Sequence, residues 1–468
     1  MNMLTFQIDT DSKIPVYQQL YAFIKKEIQS GNIKSDTKLP SKRKLSAYLN
    51  ISQNTVQAAY DQLIEEGYIT SIEKRGYFVC RIDNLIKLPD LSDNEAVKTV
   101  TQKEVAFDFS YQGVDHPTFP FDTWRRLTKE VINEYDKELL TPCDSLGYHR
   151  LRAALSEYLH QSRGVNCSPD QVIISSGTEI LFQSLIQLFD RDKIYGIENP
   201  GYEKLNQLFI SNRAKFMPIS IDDKGMVPSE VYKKNPDILC LSPSHQFPSG
   251  GIMPISRRIQ LLNWANESKN RYLIEDDYDS EFKYSGKPIP SLQGIDSNEK
   301  VIYMGSLSKC ISPTLRVSYM VLPPHLIKLY HKKLSYILCP VPILEQKVLC
   351  SFIEKGYFER HLNKMRTVYK KKRDTLVRAL TDLKRGIEIL GADAGLHVLI
   401  RVHNNMSEDE LIASALEYGV RTYGISKYYA DKSYIGKKPA LLLGFATMQE
   451  DEIIKAVSLL DKAWFGSV

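Results

Sequence analysis

Apolar residues return every three or four positions along the first 80 residues, which is the period of an α-helix. The first such segment runs from Pro15 to Gly31, with its apolar positions at Tyr17, Leu20, Tyr21, Ile24 and Ile28. A second segment follows Ser41, and its inward positions are predicted at Leu45, Tyr48 and Leu49. A third follows Ser52 and ends at Gly67, with apolar positions at Val56, Ala59, Tyr60 and Leu63. The pattern predicts three helices on one small core.

Two short β-rich pieces, Tyr68 to Ile72 and Tyr77 to Val79, follow the third helix. Three helices followed by a two-stranded ribbon are typical of a winged helix-turn-helix, which binds DNA. The first turn of the third helix would enter the major groove, and the residues predicted to contact DNA there are Ser52, Gln53, Asn54 and Thr55. Backbone-phosphate contacts are predicted at Lys42, Arg43, Lys74, Arg75 and Gly76. The alternative interpretation is an ordinary solvated face of a small helical domain.

Helical periodicity stops after residue 80. Residues 81–104 are rich in turn formers and scattered charges, which predicts a linker. From 105 to 468, short apolar runs alternate with amphipathic stretches, the pattern of a mostly parallel sheet wrapped by helices. The candidate strands are Val172 to Ser175, Ile194 to Ile197, Ile238 to Leu241, Tyr272 to Glu275 and Val301 to Met304. The chain is therefore predicted to join a DNA-binding domain (1–80) to an α/β domain (105–468).

Composition narrows the class of protein. The 468 residues suffice for two or three domains, and no apolar run approaches the roughly 18 residues of a membrane span. Seven cysteines without paired spacing predict reduced thiols and no zinc site, so we expect a cytoplasmic protein. The net charge of +5 permits nucleic-acid binding without requiring it.

The candidate chemistry lies where the predicted strands end, because ligands of such sheets gather at the carboxyl ends of the strands. Asp276 and Tyr278 end one strand, and Lys309 follows the next. Pyridoxal 5'-phosphate requires an amine, a carboxylate for its ring nitrogen, a phenol near its ring hydroxyl and a phosphate-binding cup. The predicted cup begins with Ser176, Gly177 and Thr178, and Ser306, Ser308 and Arg316 complete it. Each group alone is common in structural roles, but together they predict a pyridoxal phosphate site.

Further stretches extend this constellation into a family resemblance. Ser242 to Gly250, Met253-Pro254 and Ile274 to Ser280 are similar to signatures of the MocR/GabR subfamily of GntR-type bacterial regulators. With the N-terminal module, nearly the whole chain resembles this subfamily, most closely its γ-aminobutyrate-responsive members in bacilli. The resemblance implies a fold type I aminotransferase-like domain with a smaller C-terminal α+β subdomain. It also implies a head-to-tail homodimer that exchanges its winged helices.

The resemblance assigns roles to particular residues. Lys309 matches the Schiff-base lysine, Asp276 the partner of the ring nitrogen and Tyr278 the phenol beside the ring hydroxyl. Arg316 matches the phosphate-binding arginine, and Tyr202 an aromatic residue beside the cofactor.

Two departures from the family pattern concern the cofactor site. Phe247 stands where aminotransferases have asparagine, so the polar contact to the cofactor oxygen passes to His245 or Gln246, or is lost. Glu179 stands where the subfamily usually has glutamine. Its carboxylate would place a negative charge beside the phosphate unless the side chain turns away.

Two further departures concern ligand and DNA recognition. γ-Aminobutyrate-sensing relatives hold the ligand carboxylate with two arginines, whereas the matching residues here are Lys204 and Lys427. Lysine keeps the charge but lacks the planar two-pronged grip, which weakens the case for γ-aminobutyrate. The alternative is that both lysines are surface cations. Gln53 replaces an arginine common in GntR-type modules, and because glutamine pairs well with adenine, a different operator is expected.

The sequence thus predicts a regulator rather than an enzyme. It would bind promoter DNA and sense a small amine or amino acid, γ-aminobutyrate being one candidate, by external aldimine formation at Lys309. Closure of the aminotransferase-like domain would then change how the winged helices meet paired half-sites. The alternative is a working aminotransferase with an accessory DNA-binding domain, because a released Lys309 is also a general base.

Overall fold

The computed structural model of the chain describes residues 8–9, 12, 14–81, 105–134, 137–284, 289–431 and 439–466. The chain divides into two compact units, residues 1–102 and 103–468. Of the predicted linker, 82–104 lies outside the described residues, so its bounds remain a prediction.

The first unit contains three helices and a hairpin: α1 Val16–Gln29, α2 Lys42–Leu49, α3 Gln53–Glu65, β1 Ile69–Ile72 and β2 Gly76–Val79. β1 and β2 pair in the antiparallel sense. Ser41 and Ser52 cap α2 and α3, their hydroxyls accepting backbone N–H bonds from Lys44 at 3.3 Å and Thr55 at 3.0 Å. The four inward positions predicted on α3 are fully buried. The predicted winged helix-turn-helix is confirmed.

One predicted inward residue of this unit is wrong. Tyr48 is 44% exposed, whereas Leu45 and Ser46 are buried. Because successive helical residues are turned by about 100°, a face centred between these two leaves Tyr48 at its edge. The spacing from Leu45 to Tyr48 fits one face of a helix. The short helix α2, however, buries a narrower face, which excludes Tyr48.

An eight-stranded sheet forms the centre of the second unit, in the order β4-β11-β10-β9-β8-β5-β6-β7. Its strands are β4 Val172–Ser175, β5 Ile194–Asn199, β6 Lys215–Asp222, β7 Gly225–Met226, β8 Ile238–Leu241, β9 Tyr272–Asp277, β10 Val301–Ser306 and β11 Ser318–Val321. The run from β10 to β6 is parallel, while β11 is antiparallel to both of its neighbours. The predicted mostly parallel sheet is confirmed.

Side chains alternate between the two faces of this sheet. Ile174 and Tyr303 pack into one core cluster, whereas Ile173 and Ile302 pack into another on the opposite face. Around the sheet lie α4 Phe121–Asn133, α5 His149–Arg163, α6 Thr178–Leu188, α7 Glu203–Ser211, α8 Pro228–Lys234, α9 Ile255–Asn266, α10 Pro324–Leu334 and α11 Ile343–Glu354. Both faces are therefore buried, which explains the nearly continuous apolar runs of the strands.

A smaller α+β part follows, as the resemblance implied. The long helix α12 Tyr357–Asp382 leads to a sheet in the order β12-β13-β16-β15. The strands of this part are β12 Ile387–Leu390, β13 His397–Val402, β14 Val420–Arg421, β15 Tyr423–Gly424 and β16 Ala440–Gly444, and its other helices are α13 Glu408–Glu417 and α14 Glu450–Phe465. β14 pairs with the early strand β3 Phe107–Asp108, which ties the start of the unit to its end. Among the described residues no helix has the length and apolar character needed to cross a bilayer.

Candidate functional site

A pocket of about 190 Å³ opens where β8, β9 and β10 end and α6 begins. Its walls contain nine of the ten residues predicted for cofactor binding: Gly177, Thr178, Tyr202, Asp276, Tyr278, Ser306, Ser308, Lys309 and Arg316. The parallel pairing of β9 with β10 sets Asp276 opposite Met304, two residues before Ser306. The sheet thus brings together groups that are far apart in the sequence.

Lys309 lies in the loop after β10 and points into this pocket. Its Nζ donates to the carbonyl oxygen of Tyr111 and lies 5.1 Å from the centre of the Tyr111 ring. Burial lowers the pKa of Lys309 to about 8, because removal from water disfavours the ammonium form. The side chain is therefore a better nucleophile near neutral pH than an exposed lysine.

Asp276 carries a carboxylate that the described residues do not satisfy. Its Oδ1 is buried without a hydrogen-bond partner among them. Burial, followed by the charges of Asp277 and Asp279, raises the pKa of Asp276 to about 7. A buried, unpartnered carboxylate requires a donor or a cation close by.

The hydroxyl of Tyr278 contacts His245, which in turn contacts Asp279. Its Oη donates to the carbonyl oxygen of His245 at 3.0 Å and lies 3.1 Å from Nδ1 of that residue. The same Nδ1 lies 2.8 Å from Oδ2 of Asp279. His245 is buried and is not part of the pocket wall, but it contacts two residues that are, Tyr278 and Asp279.

Phe247 lies in the pocket wall, at the position where aminotransferases have asparagine. Neither His245 nor Gln246 replaces the polar contact of that asparagine directly. Gln246 is buried, and its Nε2 donates to the carbonyl of Pro200, in the loop after β5, at 3.0 Å. Its Oε1 accepts from the hydroxyl of Ser249 at 2.6 Å. Of the two predicted substitutes, only His245 acts near the pocket, and it does so through the phenol of Tyr278.

The predicted phosphate cup is assembled from two segments. Gly177 precedes α6 with φ +95°, a backbone conformation that other residues rarely adopt, and exposes the first amides of the helix. Ser306 accepts a bond from the amide of Ser308 at 3.2 Å and lies 3.1 Å from the hydroxyl of Ser318. Arg316 has φ +53° and contributes its guanidinium to the same wall.

Glu179 also faces the pocket and does not turn away. Its Oε2 accepts a bond from Nη2 of Arg316 at 2.9 Å, and its Oε1 lies 3.6 Å from Nζ of Lys204. One carboxylate thus bridges the predicted phosphate arginine and one predicted effector lysine.

The structure separates the two predicted effector lysines. Lys204 lines the pocket, but Lys427 is not in its wall. The ammonium of Lys427 lies 5.1 Å from the centre of the Tyr428 ring and 5.2 Å from that of Tyr423, and the residue is exposed. A shared role in holding a carboxylate remains a prediction.

Sequence reasoning missed part of the wall. Tyr111 and Gln112 come from an early loop without a recognisable motif, and Ser242, Asp279, Ser318, Leu396 and His397 also line the pocket. Asp279, one residue after Tyr278, was the one with a usable signal, because acidic side chains cluster at this strand end. Three buried side chains also lie close together: one ring nitrogen each of His245 and His397 and one carboxylate oxygen of Asp279 are within 4.8 Å of one another. The sequence did not indicate this group.

The pocket chemistry fits the cofactor expected from the sequence. The unpartnered Oδ1 of Asp276 suits a protonated pyridine nitrogen, and the Lys309 amine suits an aldehyde. Arg316 and the first amides of α6 suit a phosphate.

A second candidate surface lies on the N-terminal unit. Arg43, Ser52, Gln53 and Asn54 are exposed at the starts of α2 and α3, whereas Thr55 and Lys42 are half-buried. The ammonium of Lys42 donates to the side chain of Gln57, which directs it towards α3 rather than into solvent. The wing tip exposes Lys74 and Arg75, with Gly76 at φ +104°. The predicted DNA contacts therefore lie at the start of α2, the start of α3 and the hairpin turn.

Two family models match the chain. Residues 16–79 match bacterial regulatory proteins of the gntR family, and residues 113–460 match aminotransferases of class I and II.

Full-length relatives share both parts. The chain is 40% identical over 453 residues to the uncharacterized HTH-type transcriptional regulator YdeL of Bacillus subtilis (strain 168), covering 96% of this chain and 97% of the relative. It is 30% identical over 478 residues to the probable rhizopine catabolism regulatory protein MocR of Rhizobium meliloti, covering 98% and 95%. Among solved structures, the multiple substrate aminotransferase of Thermococcus profundus is similar with TM-score 0.69 and 26% identity, covering 78% of this chain and 92% of that one.

Proposed function

The chain belongs to the class I and II aminotransferase family, in the MocR/GabR-like branch of gntR-type transcription regulators, and we propose that its pyridoxal phosphate site senses a small amine or amino acid. The observation that carries the proposal is the placement of Lys309 and Asp276 in one pocket of a chain that also has a winged helix. The regulator would bind promoter DNA through that module, as a head-to-tail homodimer.

Bound pyridoxal phosphate supplies an aldehyde that condenses reversibly with primary amines. The chain contributes the groups that hold it. The neutral amine of Lys309 would hold it by its aldehyde, and the carboxylate of Asp276 would keep a proton on the ring nitrogen. The phenol of Tyr278, whose hydroxyl donates to the carbonyl of His245, would lie beside the ring oxygen. Arg316, Ser306, Ser308 and the first amides of α6 would bind the phosphate.

In this proposal, sensing depends on competition between the effector amine and Lys309 for the same aldehyde. An amine effector would compete with Lys309 for the cofactor aldehyde, and the charge of nearby Asp279 would favour the protonated form of a Lys309 amine that is not attached. This local change can shift the protein between two shapes only by as much as the effector binds one shape better than the other. Lys204 is the predicted anchor for an effector carboxylate, and γ-aminobutyrate is one candidate ligand.

A visible absorption spectrum of the purified protein tests this proposal. We expect a band after addition of pyridoxal phosphate to the wild type, and its loss in Lys309→Ala. The matched control is Lys332→Ala, which removes an exposed lysine on α10. Amines are then added singly, and the effector is the amine that changes both the band and promoter binding.

Two results would count against this function. A wild-type protein that gives no band with pyridoxal phosphate would refute it. Steady turnover of an amino donor and a keto acid would favour a working aminotransferase, because a released Lys309 can act as a general base.

A further inference from the structure

Glu179 occupies an unexpected position in the pocket, in the first turn of α6. Its two oxygens face two different cations, Arg316 at 2.9 Å and Lys204 at 3.6 Å. The guanidinium best placed for a phosphate is therefore already paired with a carboxylate of the chain itself.

Glu179 holds this place as an anion. Burial opposes its ionisation, but the bond from its own backbone amide and the charges of Arg316 and Lys204 hold the pKa of this carboxyl below its ordinary value. A phosphate approaching Arg316 therefore meets a negative charge that is fully ionised near neutral pH. Two negative charges beside the same guanidinium repel each other, even in a pocket that is partly open to water.

Lys204 offers the carboxylate an alternative partner. Its side chain is 54% exposed, so the ammonium is not fixed by packing. Oε1 of Glu179 already faces it, and small rotations of the two side chains would close the distance. The geometry therefore allows the Glu179 carboxylate to release Arg316 and remain paired with the ammonium of Lys204.

From this arrangement we propose that Glu179 competes with the cofactor phosphate for Arg316, and that Lys204 receives the carboxylate when phosphate binds. The inference rests on the proposed function and deepens it, because it makes cofactor loading an exchange between two anions at one arginine. This competition weakens the binding of the phosphorylated ligand. Lys204 is also partly neutralised in the loaded protein, which weakens its grip on an effector carboxylate.

Absorbance titration of the full chain with pyridoxal phosphate tests the competition. Glu179→Gln should lower the Kd for pyridoxal phosphate by about tenfold, because it removes a like charge next to the phosphate. The matched control is Glu230→Gln, another first-turn glutamate with a lysine partner, Lys234 at 3.8 Å, which lies outside the pocket wall. The control should leave the Kd unchanged.

The receiving lysine makes an opposite prediction. Lys204→Met should raise the Kd severalfold, because Glu179 then keeps Arg316 as its only counter-charge. In the double variant with Glu179→Gln this effect should disappear, since the carboxylate that needs the lysine is gone. Such non-additivity would not follow from a general loss of positive charge.

The outcomes separate this inference from the proposed function. An equal or higher Kd for Glu179→Gln than for the wild type overturns the competition, and Glu179→Ala repeats the test if the first variant does not fold. If the wild type gives no band, the proposed function fails. Calorimetric binding of inorganic phosphate to wild type and Glu179→Gln then decides the competition by itself, with tighter binding to the variant expected.

Discussion

Asp276 shows how one residue of the pocket works against the rest of the fold. One oxygen of this carboxyl is buried with no partner among the described residues, and its pKa lies above the ordinary value. The folded chain therefore loses stability as the pH rises from the ordinary pKa of the group to its raised pKa. The pKa of about 7 for Asp276 expresses that cost. A cationic ligand in the pocket would remove the cost, so the same residue that weakens the chain alone favours binding of a protonated pyridine ring.

Lys309 leads to a prediction about pH. With a pKa of about 8, roughly a tenth of its side chains are neutral at pH 7, against roughly one in three thousand at the ordinary value. Because only the neutral amine attacks an aldehyde, the rate of pyridoxal phosphate attachment should rise with pH and level off above about 8. Stopped-flow absorbance at fixed cofactor concentration measures this rate. A flat profile between pH 6.5 and 9, a range set roughly by that pKa, would contradict the assignment of Lys309.

At the scale of elements, the start of α3 carries the polar side chains that are predicted to contact DNA. Ser52 uses its hydroxyl for the cap and also contacts the hydroxyl of Thr55 at 2.8 Å. These two residues therefore shape the helix end, which leaves Gln53 and Asn54 as its exposed side chains. The opposite side of α3 is fixed by buried positions such as Tyr60, which donates to the carbonyl of Pro40 at 3.0 Å.

Two substitutions separate the roles of α2 and α3 in DNA binding. Arg43→Ala should weaken binding to all sequences and lower the slope of log K against log salt by about one, because one phosphate contact is lost. Gln53→Ala should mainly relax base preference, at a cost of about 1–3 kcal/mol on the preferred sequence. Gel retardation at several salt concentrations, with operator and scrambled DNA, measures both. Lys26→Ala, an exposed lysine of α1, serves as the control.

If Arg43→Ala and Gln53→Ala both retard promoter DNA like the wild type, the predicted contact surface is wrong. If they change binding equally on both DNAs, Gln53 contacts phosphate rather than a base.

At the scale of the whole molecule, the winged helix and the candidate cofactor pocket lie in separate units, so under the proposed function a signal would have to pass from one unit to the other. We predict a homodimer in solution, with sedimentation at twice the 53.6 kDa mass of the chain. A dimer presents two winged helices to two half-sites, which raises affinity through effective concentration. Analytical ultracentrifugation at micromolar concentration, with and without effector, measures the state. A monomer that still binds the full operator tightly would contradict this arrangement.

The sequence alone determined much of this protein, because local signals there agree with the final fold. The caps Ser41 and Ser52, the buried positions of α3 and the starts of five sheet strands follow from short-range periodicity. It also identified eight residues that line the pocket, because their types match one cofactor chemistry and they lie at or after strand ends, and the family resemblance added Tyr202.

Only the tertiary structure decided what depends on distant contacts. β11 lies antiparallel inside the sheet, and β9 and β10 extend past their apolar runs because polar residues still pair there. Tyr111 reaches Lys309 across almost two hundred positions, and Glu179 faces Arg316 rather than solvent. Periodicity records which side of an element is buried, whereas the partners of a polar side chain depend on how separate elements are brought together in space.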